Sequence, residues 1–216
     1  MSKKFMVLAL AVVSAAFFAL PAMASAQEIH LEPAENFTVA GSGGELRAEG
    51  EPTITCTTTS GSGSYNAGST TTGTATLDFT GCHTAVFGFT ASCNTSGAAS
   101  GTIASSGTFH LITISSGVPG ILLTTNPTTI ICAGISNIAV TGNVIGTITS
   151  PACGGSSKTV TLSFTATGTV QNHLSYTGAK YDLLSKTGSG ENKTSALVST
   201  GGVTNTQANA GKLNCT

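Results

Sequence analysis

The chain has 216 residues, a formal net charge of −1 and 8% charged residues, against about 25% in an ordinary globular protein. That length holds one all-β domain with a real core and is short for two. The charge balance excludes electrostatic binding to nucleic acid, which takes clustered Lys and Arg, and excludes a polybasic membrane anchor.

Residues 1–26 read as a secretory signal. Lys3 and Lys4 supply the positive start, Phe5 to Leu20 the apolar run, and Ala24-Ser25-Ala26 an A-x-A cleavage site. The mature chain is expected to begin near Gln27, and no later run is apolar enough to span a bilayer. From Pro52 to Ala179 the only Asp, Glu, Lys or Arg residues are Asp78 and Lys158. The surface of this region therefore depends on Thr, Ser, Asn and turn backbone for its solubility.

From Phe37 onward the sequence alternates with a period of two. Phe37 and Val39 are followed by the turn chemistry of Gly41-Ser42-Gly43-Gly44, and Thr53-Ile54-Thr55-Cys56 is a β-branched run. Gly73 to Thr80 alternates small or apolar residues with polar ones. Val86-Phe87-Gly88-Phe89-Thr90 is a short apolar strand. Further strands are expected around Phe109 to Ile114, Gly120 to Leu123, Thr128 to Cys132 and Ile138 to Ile148, then Thr159 to Val170 and His173 to Leu184. Thr, Val and Ile suit a pleated surface, and glycine recurs too often for helix interiors. The pattern predicts an antiparallel β-sandwich, Ig-like or jelly-roll-like, over 27–184. Residues 185–216 are rich in Gly, Ser, Thr and Asn and predict a flexible tail, tied back through Cys215.

Six cysteines, Cys56, Cys82, Cys93, Cys132, Cys153 and Cys215, are an even set in a chain read as secreted, and predict disulfides. Their spacing lacks the close pairs of a zinc site. The favoured pairing is Cys82–Cys93, Cys132–Cys153 and Cys56–Cys215. Its competitor joins Cys56 to Cys132 and Cys153 to Cys215.

Constellations for catalysis are sparse. Glycoside hydrolysis needs two carboxylates, and the central region has Asp78, placed by alternation on the polar face. A triad would draw on His83, His110 or His173 with Asp78 and a serine, yet no G-x-S-x-G elbow is present. His30 stands near the start of the mature chain. Each histidine reads better as an ordinary strand or surface residue than as a base or metal ligand. Sugar stacking would use Tyr65, Tyr176 and Tyr181. The odd separation of Tyr176 and Tyr181 puts them on opposite faces of a straight strand. No catalytic residue, cofactor or metal ligand is assigned.

Glu28-Ile29-His30-Leu31-Glu32, Thr53-Ile54-Thr55-Cys56, Phe79-Thr80-Gly81-Cys82 with Cys93, and Val140-Thr141-Gly142-Asn143-Val144-Ile145-Gly146 together resemble small secreted Thr/Gly-rich proteins of actinobacteria. The resemblance implies secretion and β-structure and brings no activity. The expected function is therefore a secreted, non-enzymatic β-sandwich, structural or adhesive at the cell envelope or outside it. Its expected partners are the cell wall or further copies of itself. The alternative is an extracellular binding module for a polysaccharide or an apolar small molecule.

Overall fold

The computed structural model describes residues 29–114, 118–134, 137–207 and 210–215. The expected signal, 1–26, lies outside the described residues. Among the described residues all regular structure is β, and every pairing is antiparallel. The strands are β1 (Ile29–Glu32), β2 (Phe37–Ala48), β3 (Ile54–Cys56), β4 (Thr58–Tyr65), β5 (Thr72–Thr80), β6 (His83–Val86), β7 (Phe89–Thr95), β8 (Thr102–Ile114), β9 (Val118–Cys132) and β10 (Asn137–Ser150). They continue with β11 (Ser156–Ser157), β12 (Thr159–Phe164), β13 (Ala166–Thr167), β14 (Val170–Gln171), β15 (Ser175–Tyr176), β16 (Ala179–Lys180), β17 (Leu183–Thr187), β18 (Lys193–Asn205) and β19 (Gly211–Cys215).

Alternation decides the faces, as the sequence predicts. Along β5, Ala75, Leu77 and Phe79 turn inward while Thr74, Thr76 and Asp78 are exposed. Side chains of successive strand residues point to opposite sides, so one face of each strand reaches the core and the other reaches water.

The strand order adds what alternation cannot specify. The long strands β2, β9, β10 and β18 run through the whole sheet and exchange neighbours part-way. In one half the pairings run β2–β4–β5–β8–β9–β10–β12–β18 and return to β2. In the other half β3, β6, β7 and β17 take over, and the pairings run β2–β3–β6–β7–β9–β10–β17–β18 and again return to β2. The facing walls of this antiparallel β-sandwich are therefore joined along both sides, and beyond the tip of the β6–β7 hairpin the two circuits leave the main sheet no free edge.

The exchange points are marked by glycine and by register shifts. β2 leaves β4 at Gly41 and takes up β3 at Gly44. The β9–β10 register shifts between Val140 and Gly142, and the β2–β18 register between Ser199 and Gly201. Gly43 (φ +56°) and Gly142 (φ +111°) occupy backbone that other residues rarely adopt, and an added β-carbon would strike the Cys56 and Asp182 carbonyls respectively.

Glycine within the strands has a second use. The ring of Phe37 lies over Gly63, that of Phe109 over Gly73 and that of Phe164 over Gly146. Each ring fills the space that a neighbouring strand's glycine leaves open. Phe37, Tyr65 and Phe109 meet edge to face, with centroids 5.1–6.1 Å apart. A small sheet, in the order β1–β19–β11, buries Ile29, Leu31 and Leu213 in the same cluster. A separate apolar cluster, Ile112, Ile114, Leu122 and Ile145, lies on the opposite face of β8 from Leu111.

The C-terminal region departs from expectation. The described part of 185–216 does not form a loose tail: β18 is a central strand, paired with β2, β12 and β17, and β19 lies between β1 and β11. Small polar residues on its inner face, Ser195 and Ser199, hide the alternation of Leu197 and Val203.

All six cysteines are paired, as expected, but the bridges are Cys56–Cys82, Cys93–Cys132 and Cys153–Cys215. The favoured set is thus overturned, and of the competitor only Cys153–Cys215 stands. The register explains why. Cys56, Cys82, Cys93 and Cys132 form one row across adjacent strands. Cys82 and Cys93 do face each other across the β6–β7 hairpin, but as a hydrogen-bonded pair, with the Cys93 amide donating to the Cys82 carbonyl at 2.9 Å. Such pairs are the wide ones of an antiparallel ladder. The bridges form across the close pairs, with Cα separations of 3.9 Å for Cys56–Cys82 and 4.1 Å for Cys93–Cys132.

Non-reducing peptide mapping is expected to recover these three bridges and no Cys82–Cys93 peptide. Replacing Cys153 and Cys215 together by Ser should lower unfolding free energy by about 2–5 kcal/mol, read by denaturant titration.

Candidate functional site

Most of the inward residues of β5, β9, β12 and β18 are apolar, yet several are only half-buried. Leu77, Phe79, Leu123, Leu162, Leu197 and Val203 all keep accessible surface on the inside of the closed sheet. They line a lumen of two adjoining cavities, each of about 90 Å³. Leu77, Phe79, Leu123 and Leu197 border both cavities and form the layer between them. Protein interiors are ordinarily close-packed, so a hollow of this kind is a feature to be explained.

The first cavity is bounded at one end by the Phe37–Tyr65–Phe109 cluster and by Leu31 and Leu213 of the small sheet. Burial pushes the Tyr65 phenol well above the ordinary tyrosine range, because the phenolate would lose its hydration. The second cavity reaches Ile54, Cys56, Ile130 and Leu183 in the half of the sheet that carries β3, β6, β7 and β17.

The polar side chains at the lumen are mostly committed to the protein. The Ser199 hydroxyl donates to the Gly43 carbonyl at 2.8 Å, Thr125 to Gly142 at 3.1 Å and Thr128 to Asn126 at 3.0 Å. Glu45 pairs with Arg47 at 2.6 Å. Thr59 is different. It sits on β4 between Gly41 of β2 and Phe79 of β5, is 7% exposed, and its Oγ1 has no hydrogen-bond partner. A buried hydroxyl left unpaired costs about 1–3 kcal/mol. It stands in an otherwise apolar wall as a donor and acceptor available to a bound molecule.

The residues weighed for catalysis do not converge. Asp78 is exposed on β5, opposite Ser60 and Ala104. His83 Nδ1 lies 3.0 Å from the Gly81 carbonyl. His110 meets Tyr176 edge to face at 5.8 Å. His173 lies between β14 and β15, and His30 Nδ1 is 2.9 Å from Thr70 Oγ1. Among the described residues no three His, Cys, Asp or Glu side chains come together as a metal site.

Tyr176 and Tyr181 do not fall on opposite faces. The chain turns at Thr177 and Gly178, both at positive φ, and the β15–β16 hairpin brings both rings onto the Ile112–Ile145 cluster. They pack there and do not form an open stacking platform. The lumen residues of β5, β9 and β12 lie on strands that alternation locates in the sequence, whereas Leu197 and Val203 fall in the region expected to be a flexible tail. The signal for a void is subtler: Thr59, Ser199 and Gly201 stand at inward positions where bulky side chains would close the space.

The fold and site define a closed antiparallel β-structure with an apolar interior and, in the wall of its first cavity, the unpartnered Thr59 hydroxyl. Compared with known proteins, the chain matches no family model, no curated protein and no solved structure.

The Tyr65 environment has a measurable consequence. Its folded-state pKa lies above the unfolded value, so its stabilising effect is complete below pH of about 10 and declines as pH rises past it. Urea unfolding followed against pH should show stability dropping above that point, and Tyr65→Phe should flatten the drop.

Proposed function

We propose that this protein is an extracellular, non-enzymatic binder of a slender apolar molecule, held within the closed sheet. The observation that carries this reading is the hollow apolar interior with Thr59 Oγ1 unpaired in its wall. Apolar pockets with a few placed polar groups are the usual form of small-molecule sites. An engineered cavity of about 150 Å³ lined by Leu, Ile and Phe takes up benzene. Each of the two cavities here is smaller, about 90 Å³, and the Leu77, Phe79, Leu123 and Leu197 side chains stand between them. An alkyl chain or a single ring suits such a space, with a hydroxyl, carbonyl or ether oxygen placed at Thr59.

Export is part of the proposal. It rests on the leader at 1–26 and on three disulfides, which persist in oxidising compartments. No helix among the described residues is long and apolar enough to cross a membrane. The geometry gives the adhesive reading less support, because strand addition to a partner needs open edges, and the main sheet joins its own except along the short tip of the β6–β7 hairpin. Polysaccharide stacking loses its platform with Tyr176 and Tyr181 packed against apolar side chains.

The test is uptake of small apolar probes by the oxidised chain. Benzene and hexane should raise the melting temperature, and organic extraction of freshly purified protein should release an apolar compound seen by mass spectrometry. Val203→Phe fills the first cavity and should reduce the benzene shift without lowering the melting temperature of the free protein. Thr59→Val should leave hexane binding unchanged and weaken 1-hexanol about five- to tenfold, the worth of about one hydrogen bond. Absence of any probe-induced shift in the unsubstituted protein would remove the reading.

A further inference from the structure

The β6–β7 hairpin ends in a feature that neither the lumen nor the core uses. Phe87 is 96% exposed and Phe89 is 78% exposed, the most exposed of the large apolar residues described. They stand at the tip of a hairpin that outruns its neighbours. β3 pairs with β6 only at His83 and Thr84, and β9 pairs with β7 only from Cys93 to Thr95. Residues Ala85 to Thr90 therefore pair with one another alone, through Ala85↔Thr90 and Val86↔Phe89.

The turn itself is unusual. Phe87 and Gly88 both have positive φ, +49° and +82°. Asn-Gly or Asp-Gly is the ordinary choice for such a two-residue turn, and a bulky residue there is a backbone outlier. This chain places an aromatic ring where a small polar residue would fold more easily and dissolve more readily. Outliers of this kind are kept where function needs them.

We propose that the Phe87–Phe89 tip inserts into the interfacial region of a lipid bilayer and so holds the protein reversibly at a membrane surface. Three observations favour a lipid surface. The tip carries no charge, and between Pro52 and Ala179 the sequence carries only Asp78 and Lys158, so insertion desolvates no ion. Six residues at a convex turn offer far less than the roughly 800 Å² that each partner buries in a standard protein interface, whereas two adjacent rings suit the boundary between headgroups and acyl chains. The flanks of the hairpin beyond Thr84 and before Cys93 lack neighbouring strands. Their backbone groups keep insertion shallow, where water still reaches them. Attachment by two rings is weak and reversible, as for a single lipid chain.

The chain contains no tryptophan, so Phe87→Trp introduces a sole reporter. With phosphatidylcholine vesicles its emission should shift to the blue and be quenched by acyl-brominated lipid, with little dependence on salt. In vesicle flotation the unsubstituted protein should partition at least about tenfold more strongly than Phe87→Ser/Phe89→Ser, while both melt at the same temperature. Equal partition of the two proteins, or an emission unchanged by vesicles, would overturn the proposal. So would a self-associated species, seen by sedimentation, that the double substitution dissolves without any vesicle binding; that result would assign the tip to a second copy of this chain.

Discussion

Closure of the main sheet is the constraint on which the rest of the molecule depends. In an open sandwich the gap between the layers is set by the side chains that fill it, and missing volume lets the layers approach. In a closed sheet the girth is set by the number, tilt and stagger of the strands. Here both circuits return to β2, and shrinking either would break ladder hydrogen bonds. Side chains such as Val203, Leu197 and Leu77 can then fall short of filling the interior without collapse of the walls. A chain with 6% aromatic residues and no tryptophan has little bulk to place inside, and it spends much of that bulk at one end, where Phe37, Tyr65 and Phe109 cluster. The lumen is what remains.

Much of this was legible in the sequence, and the limits have physical causes. Alternation located the strands, because one buried face imposes a period of two wherever inner residues are apolar and outer ones polar. It failed on β18, whose inner face mixes Leu197 and Val203 with Ser195, Ser199 and Gly201. That same mixture lets the strand bulge and pass from one partner set to the other. The cysteines were readable as bridged but not as pairs. Choosing among Cys56, Cys82, Cys93 and Cys132 requires knowing which cross-strand pairs are close and which are hydrogen-bonded, a property of register that only the ladder fixes. The lumen residues of β5, β9 and β12 lay on recognisable strands, while the empty space they border depends on the girth of the sheet, to which no single residue testifies.

The outer wall follows from the same composition. With few charges available, neighbouring strands meet through hydroxyls: Thr159 and Thr204 lie 3.0 Å apart and Ser163 and Thr200 3.4 Å apart. Cross-strand pairs of this sort contribute modestly to pairing and leave a neutral, hydrated surface that salt screens little, having little to screen. Asp78 takes its place on that surface as a solvent-facing strand residue. Against so uniform a wall, two exposed rings at one hairpin tip are a local departure that general solubility does not require.

Covalent bracing and ladder irregularity are also unevenly distributed. Cys153–Cys215 ties the loop after β10 to the small sheet that covers the aromatic end, and the Cys56–Cys82 and Cys93–Cys132 bridges lock the row of strands in the other half. Between them lie the register shifts at Val140/Gly142 and Ser199/Gly201 and the change of partner at Gly41 to Gly44. Local opening is cheapest where ladder hydrogen bonds are fewest and packing is thinnest. This middle zone, beside the Leu77–Leu123–Leu197 layer, meets the first condition through its register shifts, while strand backbones there approach too closely to admit a β-carbon at Gly43 or Gly142. The glycines that let four strands serve two circuits thus sit where the ladder changes partners, beside the layer between the two cavities.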